Sequence, residues 1–121
     1  MQRFTDLLVW KRSHDLVLEI YKLARQFPID ERFALISQIR RAALSVPTNI
    51  AEGSKRIRSA DFARFLNIAE GSLAETQYLL MVSRDLGYLP MAAYGARQKE
   101  LAEIARMLHG LRTKVEKEAT P

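Results

Sequence analysis

Apolar residues recur at every third or fourth position in four successive segments of this chain, and nowhere does a period of two persist long enough for a sheet. Four amphipathic segments joined by short connections fit an up-down antiparallel four-helix bundle, which buries all four stripes together. The spacing therefore predicts an all-α fold in one domain over residues 1–121, with helices over about 7–26, 31–52, 60–86 and 91–116.

Local signals set the boundaries. Asp6 is the expected cap of the first helix, whose stripe is Val9, Leu16, Ile20, Leu23 and Phe27, and Pro28 ends it. Asp30 is the expected N-cap of the second helix and Ser59 of the third, each with an acid in the first turn, Glu31 and Asp61. Phe62, Phe65, Ala69, Leu73, Leu80 and Leu86 form the apolar side of the third helix, which Gly87 closes, and Pro90 opens the fourth. Gly71 and Ser72 predict close approach of a neighbouring helix, at a cost in helix propensity of about 1 kcal/mol. Residues 116–121 are expected to fray.

The second helix is the most unusual. Leu35, Ile39, Ala42 or Ala43, Val46 and Ile50 make its apolar face, and Gln38, Arg41, Ser45, Asn49 and Glu52 make an adjacent polar strip, with Arg40 beside it. Pro47 falls inside this pattern, where it removes the hydrogen bond to the carbonyl of Ala43 and crowds it. Ser45 or a water is the expected substitute partner, giving a bend rather than a break. Gly53 is expected to end the helix as a C-cap. Arg41 and Glu52 lie about three helical turns apart, too far to pair with each other, so the strip points to a contact with another helix or subunit.

The net charge is +5, and its distribution says more than its size. Residues 40–64 carry Arg40, Arg41, Lys55, Arg56, Arg58 and Arg64 against Glu52 and Asp61, a local excess of +4. Lys55, Arg56 and Arg58 fall in the connection after the second helix and Arg64 about one turn into the third. Side chains there reach phosphates without disturbing a core, so these four are the candidate nucleic-acid contacts.

Enzymatic readings find little support. There is no cysteine for thiolate chemistry, and no Glu-x-x-His of the di-iron bundle kind. His14 and His109 have no acidic or hydroxyl partner set by spacing, and no phosphate-cradling glycine loop or Gly-x-Ser-x-Gly occurs. The sequence supplies no catalytic residue, metal ligand or cofactor site. Without a signal pattern or membrane-length apolar run, it reads as a soluble cytoplasmic protein.

The run Gln38-Ile39-Arg40-Arg41-Ala42-Ala43, continuing through Ser45-Val46-Pro47 to Asn49-Ile50-Ala51-Glu52-Gly53, resembles the four-helix-bundle family of 23S rRNA intervening sequence proteins. Arg56, Phe62-Ala63-Arg64-Phe65-Leu66-Asn67-Ile68-Ala69, Gly71-Ser72, Val9-Trp10-Lys11 and Phe27-Pro28 extend the resemblance over roughly residues 6–90, with Thr48 a mild departure. It implies a bacterial protein of a family encoded within insertions in 23S ribosomal RNA genes or standing free. It also implies a fold like the accessory variability protein of diversity-generating retroelements, a homopentamer that binds nucleic acid and associates with a reverse transcriptase. The resemblance carries over no catalytic residues.

Two functions follow as expectations. The first is a non-enzymatic homo-oligomer that binds RNA or DNA through Lys55, Arg56, Arg58 and Arg64. The second is an assembly scaffold for a protein partner such as a reverse transcriptase, built on Gln38, Arg40, Arg41, Ser45, Asn49 and Glu52.

Overall fold

The computed structural model describes residues 3–119. Four helices follow one another: α1 (Leu8–Ala24), α2 (Leu35–Ser54), α3 (Ser59–Asp85) and α4 (Met91–Ala119). Single 3-10 turns occupy Phe4–Asp6 and Ile29–Glu31, and there is no strand among the described residues. Each helix packs against the next and α4 closes on α1, which leaves α1 and α3, and α2 and α4, across the diagonals. Cross-helix pairs give the directions. Ser45 meets Ser72, while Gly53, about two turns along α2, meets Phe62 and Phe65, two to three turns back along α3. Arg12 pairs with Glu103 and Glu19 with Arg97 between α1 and α4. α2 and α3, and likewise α1 and α4, therefore run antiparallel.

The core lies where the stripes converge. Leu16 and Ile20 of α1, Val46 and Ile50 of α2, Leu80 of α3 and Leu108 of α4 are almost wholly buried, each worth roughly 1.5–3 kcal/mol of transfer free energy. Three hydroxyls share this interior, and each bonds a carbonyl one turn back on its own helix. Ser13 donates to Val9, Thr76 to Ser72 and Ser83 to Leu79, so none is left buried without a partner.

Several helix ends differ from the sequence expectation. Asp6 lies in the first 3-10 turn, and α1 begins after Leu7 without a side-chain cap. Asp30 lies in the second 3-10 turn, and α2 starts only at Leu35, because Ala34 (φ −120°, ψ −102°) leaves the helical region. Glu31 is engaged elsewhere. It accepts a 2.9 Å hydrogen bond from the Tyr88 hydroxyl, which ties this connection to the α3–α4 turn and pushes the Tyr88 pKa up. Ser59 is the first residue of α3 rather than its cap, a position held by Arg58. Leu86 is exposed instead of buried, since α3 ends at Asp85. α4 continues helically to Ala119, so the expected fraying is not seen over residues 116–119, while residues 120–121 lie outside the described residues.

The glycines also exchange roles. Gly87, at φ +79°, is the left-handed residue that closes α3. Gly53 is not a C-cap, because α2 runs on to Ser54 and Lys55 follows in right-handed conformation. A Cβ on Gly53 would sit 2.7 Å from Phe65 Cβ and 2.9 Å from Phe62 Cδ1, so glycine is required by the approach of α3. Around Gly71, where close approach was expected, a Cβ would meet nothing within 4 Å. The tight contact is made by its neighbour Ser72, whose hydroxyl lies 2.8 Å from that of Ser45.

α2 is continuous through Pro47. The expected donation from Ser45 to the Ala43 carbonyl is not seen: Ser45 Oγ engages Ser72 and Asn49 instead. Thr48 Oγ1 donates to the carbonyl of Leu44 at 2.8 Å, and Asn49 Nδ2 donates to the carbonyl of Ser45 at 2.8 Å. Both are back-bonds to carbonyls one turn earlier on the same helix, and neither reaches the Ala43 carbonyl that Pro47 frees.

The seam between α1 and α4 is bridged by charge. Arg12 pairs with Glu103 at 2.9 Å and Arg97 with Glu19 at 3.0 Å. Arg97 Nε also lies 2.8 Å from Glu100 Oε1, yet its N–H is not aimed at that oxygen, and neither atom makes a hydrogen bond among the described residues. Burial accordingly raises the Glu100 pKa against the opposing pull of Arg97.

Candidate nucleic-acid interface

The α2–α3 connection is short because both helices close themselves with backbone bonds. The N–H groups of Lys55 and Arg56 donate to the carbonyls of Glu52 and Gly53, and those of Asp61 and Phe62 donate to the carbonyl of Arg58. Only Ile57 lies between these anchored turns. Lys55, Arg56, Arg58 and Arg64 are all exposed at this end of the bundle, so the four candidate cations emerge on one loop and the first turns of α3.

Phe65 organises two of them. Its ring is largely buried where α3 meets Gly53, and the Arg56 and Arg64 guanidinium carbons lie 4.6 Å and 4.8 Å from its centroid. Such cation–π contacts hold a guanidinium in place while leaving its N–H donors free for phosphate. Arg58 differs, because its Nε lies 3.2 Å from Asp61 Oδ2, so part of its charge is offset. Lys55, Arg56 and Arg64 face no carboxylate in an ion pair among the described residues. The arrangement provides three uncompensated cations, two of them pre-positioned, around an exposed tip.

The polar strip divides. Arg40 turns away from it and lies 4.8 Å over the Tyr21 ring of α1, with its Nε buried and without a hydrogen bond among the described residues. Ser45 bonds Ser72, and Asn49 Nδ2 donates to Ser45 Oγ at 2.9 Å, so these two serve the α2–α3 contact. Gln38, Arg41 and Glu52 are exposed. Among the described residues Arg41 and Glu52 make no ion pair with another helix. Gln38, Arg41, Ser45, Ser72 and Glu75 line an open polar groove between α2 and α3, with Phe33, 85% exposed, at its end.

Two residues of the basic end escape sequence reasoning. Phe65 fits the apolar stripe, and nothing in the spacing shows that arginines will lie over its ring. Ile57 belongs to no stripe, and an isolated apolar residue among cations was the available signal. The histidines stay apart: His14 stacks on Trp10 with centroids 5.2 Å apart, and His109 Nδ1 lies 4.0 Å from Glu70. No cluster of three His, Cys, Asp or Glu residues suited to a metal occurs among the described residues, and no helix there is long and apolar enough to cross a membrane.

Comparison with known proteins places this architecture. A crystal structure of a protein of unknown function from the S23 ribosomal protein family of Bacteroides thetaiotaomicron is similar, with a TM-score of 0.81 and 26% identity. The match covers 88% of this chain and 96% of that one. No curated protein matches the chain. Residues 5–110 match the family model described as 23S rRNA-intervening sequence protein. The match spans all of α1, α2 and α3 and most of α4, including every candidate site residue, and the chain belongs to the 23S rRNA-intervening sequence protein family.

Proposed function

We propose that this protein is a non-enzymatic homo-oligomer that binds the backbone of RNA or DNA through Lys55, Arg56, Arg58 and Arg64. The observation that carries the proposal is the pair of arginines held over Phe65 beside an otherwise uncompensated lysine. Fixed guanidinium groups contact phosphate at lower entropic cost than free ones, and phosphate contacts alone read no sequence. In a ring of identical subunits the loop would repeat about the axis and add avidity without new contacts. The test is binding to a structured RNA at low salt. Affinity that disappears when Lys55, Arg56 and Arg58 become alanine supports the proposal, and absent or unchanged binding overturns it.

The second reading, an assembly scaffold for a protein partner, draws on a different surface. Arg41 and Glu52 lack ion-pair partners among the described residues, and Phe33 stands exposed beside the α2–α3 groove. On this reading Arg41→Ala or Glu52→Ala changes the oligomer mass in light scattering while helicity is retained, and an unchanged mass counts against it.

A further inference from the structure

Among the described residues Ile57 is the most exposed large apolar side chain, at 101% of its reference area. One exposed isoleucine on a surface means little by itself. This one occupies the tip of the α2–α3 loop, with Lys55 and Arg56 before it and Arg58 after it. The backbone on either side is anchored, by Arg56 N–H to the Gly53 carbonyl at 3.0 Å and by the Arg58 carbonyl accepting from Asp61 and Phe62 at 3.1 and 3.2 Å. A β-branched side chain with few rotamers thus projects from a fixed point, with Lys55, Arg56 and Arg58 beside it and Asp61 also at the edge. It contributes nothing to the core.

The geometry points to Ile57 as an apolar wedge that packs against an unstacked base while the flanking cations hold the phosphates. This rests on the backbone-binding reading above and narrows its ligand to RNA or DNA with a bulge, junction or single-stranded step. A regular duplex keeps its bases stacked and gives an aliphatic side chain no place without disrupting a step. A pre-formed bulge removes that cost, so the same cations hold it more tightly. The contact uses the face of a base, which every base has, and predicts preference for structure rather than sequence.

The probe is a labelled RNA hairpin, fully paired or carrying one single-nucleotide bulge, with 2-aminopurine beside the bulge. Binding is measured for the wild-type chain, Ile57→Ser, and Lys55→Ala/Arg56→Ala/Arg58→Ala. Wild type should prefer the bulged hairpin by about tenfold, the equivalent of burying much of one aliphatic side chain, and should change the 2-aminopurine emission. Ile57→Ser should lose both effects yet bind the paired hairpin as wild type does, with the same salt dependence. Equal wild-type affinity for the two hairpins, or a preference that survives Ile57→Ser, overturns the wedge and leaves backbone binding standing. No binding of either hairpin at low salt overturns the backbone reading itself. Wild-type binding to vesicles containing phosphatidylglycerol that is lost in Ile57→Ser, with unaltered RNA binding, also overturns the wedge and makes the loop a membrane contact.

Discussion

The guanidinium of Arg56 lies 4.6 Å from the centre of the Phe65 ring, so a residue of the loop is positioned by a residue of the core. Arg64 approaches the same ring at 4.8 Å. Phe65→Leu keeps an apolar side chain against α2 but removes the ring that orients both arginines. RNA affinity should fall about two- to fivefold, in line with cation–π contacts of roughly 0.5–1 kcal/mol. Titration at fixed salt checks this, with circular dichroism to confirm that the bundle is intact.

The pairing of Arg58 with Asp61 ranks the cations. Arg58→Ala should weaken RNA binding less than Arg56→Ala, because part of the Arg58 charge is already offset. Asp61→Asn should strengthen binding by releasing Arg58. Affinities of the three variants measured at one low salt concentration decide the order.

Gly53 and Gly71 should respond oppositely to alanine. At Gly53 the new methyl meets Phe65 Cβ at 2.7 Å, close to the α3 backbone, where relief requires the helices to shift. Gly53→Ala should therefore cost about 1–3 kcal/mol. At Gly71 the methyl enters open space in mid-helix, and Gly71→Ala should add up to about 1 kcal/mol. Urea unfolding of both variants tests the contrast.

That contrast also shows what the sequence could and could not reveal. The three-four spacing of Leu35, Ile39, Val46 and Ile50 identified a buried face correctly, because burial of a helix stripe depends on residues near in sequence. A glycine needed for close approach depends on what faces it from another helix, and spacing does not register that. Spacing sets Arg40 beside the polar strip for the same reason, although the Tyr21 ring of α1 draws it to the other side. The basic loop was legible as composition. Its organisation around Phe65 was not, since a stripe residue and a platform under two arginines look alike in one dimension.

Glu100 sets a pH dependence. Its pKa is raised, first by burial, while Arg97 and Arg12 pull it down and Glu19 and Asp15 push it up. The folded state therefore binds this proton more readily than the unfolded chain, and the charged carboxylate is a liability above the folded value. Glu100→Gln, which imitates the neutral form, should raise Tm at neutral pH. The advantage should shrink as pH falls through the raised folded value and vanish below the ordinary carboxylate value. Thermal melts of both proteins across this range test the sign.

The dependence of RNA affinity on salt tests the central claim most directly. With the three to four cations of one loop engaged, the logarithm of affinity should fall against the logarithm of salt with a slope of roughly −2 to −4 per subunit. The Lys55→Ala/Arg56→Ala/Arg64→Ala variant should flatten that slope by about 2 to 3. A slope near zero in the wild-type protein, or one that the triple substitution leaves unchanged, would contradict backbone recognition through this loop.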